Sequence, residues 1–436
     1  MDATTRTPMG PTAEDAELPS ATAATSASAG GPTLRSIAPS VFLPALVYEI
    51  GNGAIAPVIA LTGLHLGASS GTAGYMLALL GVGQIIGDVP ASALADRVGD
   101  RRAMILAAGV AVLALLGCAL APALPVLGVA LIVVGMSNST FYLARMAYLT
   151  DVAPIGLRAR AMSTLGGSHR IGLFIGPFVG AAAISLTSLR AAYVVAMVAA
   201  ASAALLLFVI PDVAVGKNQQ VATRGGHTSR QMLGQHRRLF ATLGFAVLAV
   251  GAVRAARQTV LPLWAEHLGL SAATTSLVFG IASAVDMALF YPSGKVMDKL
   301  GRLSVALPSM LVLGIAMMTL PLTGGVVSLT IVAMVMSLGN GIGSGIMMTL
   351  GADVAPLDGR TRFLGIWRIL SDSGNAAGPV VVSVVATAAT LAAGIVTVGA
   401  LGPLAALGLA VFVPRFSPYA TRKSTRAHRA AQPGNG

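Results

Sequence analysis

The sequence predicts an all-α polytopic membrane protein with twelve transmembrane helices, and three observations carry that reading. Mean hydropathy is +0.80. Only 10% of the 436 residues are charged, against about 25% in an ordinary soluble domain. Apolar runs of about 18 to 25 residues recur from about Ser36 to about Val413, each long enough to cross a hydrocarbon core of about 30 Å. Backbone groups find no water inside a bilayer, so a run of this length closes its hydrogen bonds within a helix. The alternating ten-residue pattern of a barrel is absent.

The flanks and the charges set the topology. Residues 1–34 are rich in Ala, Thr, Ser, Gly and Pro and hold Glu14, Asp15 and Glu17, which predicts a disordered cytoplasmic N-terminal tail and not a signal peptide. The net charge of +12 would suggest nucleic acid in a soluble chain, but position decides otherwise. With the N-terminus inside, basic residues fall in Arg97, Arg101 and Arg102, in Arg158 and Arg160, and in a polar linker at 212–238. They continue in Lys295, Lys299 and Arg302, in Arg360 and Arg362, and in Arg415, Arg422, Lys423, Arg426 and Arg429. Arg190 alone falls in a loop on the other side. This asymmetry predicts a multi-pass protein of the cytoplasmic membrane with both termini inside, with lipid and not nucleic acid as the partner of its basic tail. Cys118, the single cysteine, excludes a disulfide framework, a cysteine zinc site and an iron–sulfur cluster. No cofactor and no metal is expected, and the chain is expected to act as a monomer.

The linker divides the chain into an N-terminal six-helix bundle at 35–211 and a C-terminal one at 239–413, followed by a basic cytoplasmic tail at 414–436. Sliding the second half onto the first by 202 residues brings His65, Leu66 and Gly67 onto His267, Leu268 and Gly269. Pro90, Asp96 and Gly99 fall on Pro292, Asp298 and Gly301, and Asn138 falls on Asn340. The loop DVAP at 151–154 falls on DVAP at 353–356, while Gly172, Gly176 and Pro177 fall on Gly374, Gly378 and Pro379. A parallel repeat of this kind implies a two-fold axis along the membrane normal and a site between the halves near the midplane.

The chain resembles the major facilitator superfamily from about 36 to 413. The family's loop pattern G-x-x-x-D-R/K-x-G-R/K-R/K is matched at Ser92–Arg101 through Asp96, Arg97, Gly99 and Arg101, with Arg102 following. Its second copy holds Gly294, Asp298, Lys299, Gly301 and Arg302. Ser92 and Asp100 depart from the pattern. The resemblance implies a gate at this loop, in which Asp96 pairs with nearby arginines or with the positive end of the eleventh helix; topology anchoring alone is the alternative. A second family pattern, G-x-x-x-G-P-x-x-G, is matched by Gly172, Gly176, Pro177 and Gly180 in the fifth run and implies the drug/proton antiporter branch, although close helix packing explains it as well. The arginine that this branch places in the fourth run is replaced by Leu131, with Arg145 further along as a substitute.

Ionisable groups inside spans cost about 2.5 to 3.5 kcal/mol each on insertion scales and are functional candidates. Glu49 in the first run and Arg254 and Arg257 in the seventh lie at similar depth, which predicts a pair between Glu49 and one of those arginines. Glu49, then Asp286, are the candidate proton carriers, since burial and a neighbouring arginine pull a carboxyl's proton affinity in opposite directions. A structural ion pair is the competing reading. Arg170 and Asp372, which are repeat mates, are expected either to pair across the bundles or to pack at helix ends. Asn138, Asn340 and Tyr48 are cavity candidates, with an interhelical hydrogen bond as the equal alternative for the two asparagines, and Trp264 and Trp367 are either cavity surface or interfacial anchors.

These residues predict a secondary transporter that exports an amphipathic or drug-like compound against protons. The surplus arginines leave open uptake or uniport of a sugar or an organic anion. A non-transporting membrane sensor is the reading from another class. No G-x-x-x-x-G-K-S/T occurs, which argues against ATP-driven transport, and the six histidines show no H-E-x-x-H spacing. The single G-x-S-x-G, Gly67–Gly71, sits in a loop without a nucleophile elbow's strand-turn-helix setting.

Overall fold

Twelve helices long and apolar enough to cross a bilayer run through the computed structural model, which describes residues 34–153, 158–211, 229–356 and 359–430. The expected N-terminal tail up to residue 33, the linker from 212 to 228, and the side chains of Arg158, Arg160, Arg360, Arg362 and Arg429 lie outside the described residues. The spans of the first half are α1 (Pro39–His65), α2 (Ser70–Asp88), α3 (Asp100–Leu120), α4 (Leu124–Val152), α5 (Ala161–Leu186) and α6 (Ala191–Val209). Those of the second are α7 (Arg237–His267), α8 (Ala272–Leu300), α9 (Leu303–Leu322), α10 (Val326–Val354), α11 (Phe363–Ala388) and α12 (Leu391–Phe416). The outermost of these therefore reach a few residues beyond the 239–413 expected from hydropathy.

The 202-residue register is visible in local geometry. Ser69 caps α2 by accepting the Thr72 N–H at 3.2 Å, and Ser271 caps α8 by accepting the Thr274 N–H at 3.2 Å, each holding one of the N–H groups that a helix start leaves unpaired. Gly99 and Gly301, at the turns after α2 and α8, take φ of +88° and +94°, a backbone region that side chains disfavour. Packing repeats too. In the first half α1 lies on α5 and α6, α2 on α4, and α3 on α4 and α6; in the second, α7 lies on α11 and α12, α8 on α10, and α9 on α10 and α12. The bundles meet through α2 on α11 and α5 on α8, pairs that the pseudo-two-fold axis exchanges.

Glycine makes these approaches possible. On α5, a Cβ at Gly172 would lie 2.6 Å from the Glu49 Cβ, and one at Gly176 2.7 Å from the Gly53 carbonyl carbon. Gly374 and Gly378 of α11 rest against Leu248 and Ala252 of α7 in the same way. The fifth-run pattern is thus the α1–α5 contact, with a second copy at α7–α11, as small residues at membrane helix interfaces do.

Two spans are broken. α1 interrupts its helix between Ile55 and Val58, at Ala56–Pro57, where proline supplies no donor. α10 interrupts its helix between Ile342 and Ile346, with Gly345 at φ +79°.

On the face that carries Arg97, Arg102, Lys295 and Lys299, here the basic face, the chain after α12 folds back onto the α8–α9 turn. The Arg302 N–H donates to the Tyr419 carbonyl at 2.9 Å and the Leu303 N–H to the Ala420 carbonyl at 3.0 Å. The Arg302 guanidinium lies 4.8 Å over the Tyr419 ring and grips Asp353 of the DVAP loop with two bonds of 2.8 and 3.0 Å. Gly301→Ala is expected to lower the thermal unfolding midpoint in detergent by more than Gly99→Ala. Both add backbone strain of about 1–3 kcal/mol, but among the described residues only at 301 would the Cβ also meet the chain, 2.7 Å from the Thr421 carbonyl carbon. Equal shifts would contradict this packing.

Candidate functional site

A cavity of about 530 Å³ lies between the two bundles and takes its walls from both. Its first-half wall is organised around Glu49, which is 6% exposed. The carboxylate takes Arg145 Nη1 of α4 at 3.2 Å, lies 2.9 Å from His169 Nδ1 of α5, and accepts from Asn52 Nδ2 at 3.1 Å. One helical turn of α1 thus presents Glu49 and Asn52 together, while Gly172 lets α5 come close enough for His169 to reach them.

The second-half wall is organised around Asp286 of α8. It pairs with Arg170 Nη1 at 3.0 Å and with Arg257 Nη2 at 3.9 Å, and accepts from Asn340 Nδ2 at 2.8 Å. Arg170 belongs to α5 of the other bundle, so this pair spans the two halves. Arg170 also donates to the Ser344 hydroxyl. Ser344 and Gly343 sit in the break of α10, and the carbonyl of Gly343 accepts from Arg254 Nη1 at 3.0 Å. The interrupted helix therefore turns backbone acceptors toward the arginines, a use of irregular backbone that a membrane tolerates where it lines a cavity. His169 and Arg170, neighbours in sequence, bind acids of opposite bundles.

The cavity is closed tightly on the face opposite the basic one. There Gly71 and Gly74 bring α2 against Thr387 and Ser383 of α11, and Gly280 of α8 is covered by the Phe178 ring of α5, 2.7 Å from where a Cβ would stand. Toward the basic face the bundles are bridged by Arg368 of α11, whose Nη2 is 3.6 Å from Asp88 of α2. Arg368 also pairs with Asp372 at 3.3 Å and lies 5.1 Å over the Tyr142 ring, which sits 5.2 Å from the guanidinium of Arg145. The Asp88 carboxylate additionally accepts from the Ser139 hydroxyl. Arg368 is 41% exposed, so its bridge contributes at most about 1 kcal/mol. With Cys118 replaced by Ala and Ser283 by Cys, Arg368→Gln is expected to raise the labelling rate of Ser283→Cys by a reagent applied from the basic face, by up to about fivefold. A slower rate would show that the bridge does not restrain this face.

The expected residues fall as follows. Glu49, Asn138, Arg254, Arg257, Asp286 and Asn340 all line the cavity. The expected pair between Glu49 and Arg254 or Arg257 does not form: Glu49 is satisfied by Arg145 and His169 within its own bundle, while Arg254 and Arg257 lie with Asp286 and Asn340. Equal depth along α1 and α7 does not place two side chains on facing sides. Arg170 pairs with Asp286 and Asp372 with Arg368, so the expected Arg170–Asp372 pair is replaced by two others. Tyr48 is 4% exposed, stacks on Phe141 and donates to Asn138 at 2.8 Å; it supports the wall from behind. Trp264 and Trp367 are both buried, their indole N–H groups bonded to Thr323 and to the Met347 carbonyl, and neither anchors an interface.

In the loop after α2, Asp96, Arg97 and Arg102 are exposed, and among the described residues no ion pair of Asp96 is seen; the side chain of Arg362, at the helix end expected to face Asp96, lies outside the described residues. Arg101 instead donates to the Leu207 and Ile210 carbonyls at the end of α6, where a cation suits the helix dipole. In the second copy Lys299 is exposed, Gly294 touches nothing with its Cβ position, and Arg302 lies 3.8 Å from Asp298 besides holding Asp353. Sequence reasoning passed over His169 and Arg368. Arg368 stood in the apolar run FLGIWRILSD, four residues before Asp372, and the rule that ionisable groups in spans are functional candidates would have found it.

Two repeated bundles around a central cavity lined by ionisable groups, with broken helices turning polar backbone inward, define a secondary transporter. The chain matches the sequence model of the Major Facilitator Superfamily over residues 41–379 and again over 243–433. It belongs to that family, and it is a multi-pass membrane transporter of a small molecule and not an enzyme. Its fold is shared with a D-xylose-proton symporter, at 18% identity over 87% of this chain and 97% of that one, with a TM-score of 0.65. The xylose transporter XylE from E. coli in an inward-open conformation matches at 16% identity over 91% and 100%, with a TM-score of 0.68. A POT family transporter in complex with a thioalcohol-conjugated peptide matches at 12% over 88% and 96%, with a TM-score of 0.70. Identities this low show the fold alone. Comparison with curated protein sequences gives no match.

Proposed function

We propose that the chain exports an amphipathic small molecule across the cytoplasmic membrane in exchange for protons, with Glu49 as the proton-carrying group. The observation that supports this most directly is the buried Glu49 carboxylate on the cavity wall, held by Arg145 and beside His169. A carboxylate on a cavity wall gains or loses a proton as the cavity opens to either side, and its change of charge alters what His169 and Arg145 hold. His169 is next to Arg170, the residue that ties the bundles together through Asp286. In this reading a proton taken up at Glu49 acts one residue away from a contact that joins the two bundles. The direction of transport rests on the resemblance of the fifth-run pattern to drug/proton antiporters, and the inside location of both termini on the distribution of arginines and lysines.

The test is flux into and out of vesicles reconstituted with the purified protein, with an imposed pH gradient and a panel of cationic, neutral and anionic amphipathic compounds. A compound that moves uphill when protons run down their gradient is the expected result. Transport of every moved compound that ignores the gradient would sink proton coupling.

A further inference from the structure

We propose that the second-half wall is a binding site for the negative group of an organic anion, a carboxylate or sulfonate, held between Arg254 and Arg257. The inference rests on the transport reading above and names the chemical class of its cargo.

Charge count within the wall is the first support. The ionisable groups lining the cavity are Glu49 and Asp286 against Arg170, Arg254 and Arg257, with His169 beside them. Arg145 stands behind Glu49 and neutralises it, which leaves three arginines sharing the single carboxylate of Asp286. Arg170 holds that carboxylate most closely, at 3.0 Å, and Arg257 is further away at 3.9 Å. Among the described residues Arg254 donates only to neutral acceptors, the Asn340 side-chain oxygen at 2.9 Å and the Gly343 carbonyl at 3.0 Å. Hydrogen bonds to such groups satisfy its donors without cancelling its charge.

The second support is a donor left over. Arg257 is 7% exposed, its Nη1 donates to the Ser337 hydroxyl at 2.7 Å, and among the described residues its Nε has no hydrogen-bond partner. A buried guanidinium N–H without a partner is costly, and this one belongs to a side chain that lines the cavity. An incoming oxyanion supplies both missing things, a charge and acceptors, and arginine's planar fork suits a two-oxygen anion. The acids that exceed their arginines, Asp88 and Asp372 around Arg368, stand toward the basic face and are not part of the cavity wall. Across from the arginines, Ile55, Ile59, Leu77, Leu80 and Leu173 form an apolar surface against which a hydrophobic body fits. The cargo that satisfies both walls is an amphipathic anion.

The probes are three naphthalene compounds of matched size, 2-naphthoate, 2-naphthylmethanol and 2-naphthylmethylammonium, with the full-length protein in nanodiscs of zwitterionic lipid so that no anionic headgroup competes. Equilibrium dialysis is expected to show naphthoate binding at least about tenfold tighter than the other two, the worth of one charge-assisted hydrogen bond. Arg257→Gln is expected to weaken naphthoate by a similar factor. Asp286→Asn is expected to strengthen it, by removing the competing carboxylate, and a misfolded variant would not mimic a gain. Tighter binding of the ammonium compound, equal binding of all three, binding of none, or naphthoate affinity unmoved by both substitutions overturns the site. Naphthoate bound, with no compound of the panel moved by the proton gradient, sinks the export reading and leaves the site standing. Proton-driven flux of a cation with no naphthoate binding does the reverse.

Discussion

Glu49→Gln is expected to abolish proton-driven accumulation while leaving the fold intact. A gradient of one pH unit is worth about 1.4 kcal/mol per proton and supports about tenfold accumulation with one proton exchanged. The variant should show none. The amide oxygen still accepts from Arg145 and Asn52, whose bonds to the native carboxylate are 3.2 and 3.1 Å, so the α1–α4–α5 contact has the means to persist. Vesicle flux with and without the gradient reads the result, and thermal unfolding in detergent checks that the protein is folded. Accumulation that survives the substitution would mean that Glu49 is only a structural partner of Arg145, and counterflow unchanged in an uncoupled variant would favour uniport.

The largest loss of stability is expected from Arg302→Ala. Arg302 and Asp353 are 10% and 8% exposed and joined by two bonds, and removing one member of such a pair costs about 3–5 kcal/mol because the other charge is left buried and alone. Ser417, which donates to the same Asp353 oxygen at 3.2 Å, would retain only part of the compensation. The thermal midpoint should fall sharply in Arg302→Ala, fall comparably in Asp353→Ala, and fall by less than the sum in the double variant, since both changes remove one interaction. Additive losses would show that the two residues act separately.

Much of the fold was legible because hydropathy reports directly on helix burial in a bilayer, and because the 202-residue register fixed which turns had to be alike. Ser69 and Ser271, or Gly99 and Gly301, turned out to do the same local job at each end of that register. The contacts inside the membrane were less legible. Depth along a helix can be counted from sequence, but the direction a side chain faces depends on how helices rotate against one another, which is why Glu49 found Arg145 and His169 and not Arg254. The register also has no mate for these charges: Glu49 falls opposite Gly251, and Asp286 opposite Gln84. The polar machinery is where the two halves diverged, so the repeat that reveals the scaffold says little about it. The break in α10 was hidden for a related reason, since Gly343 and Gly345 read as small packing residues until the Gly343 carbonyl is seen meeting Arg254.

The segment after α12 acts as a clasp on the second half. Its carbonyls at Tyr419 and Ala420, together with Asp353, engage the α8–α9 turn, so that turn is tied at once to the end of α10 and to the chain beyond α12. At the matching turn after α2, Arg101 bonds the Leu207 and Ile210 carbonyls at the end of α6, and Asp96 stands exposed. The same loop pattern thus fastens its turn to different neighbours in each half, through an arginine on helix-end carbonyls after α2 and through a guanidinium–carboxylate clasp with a returning chain after α8.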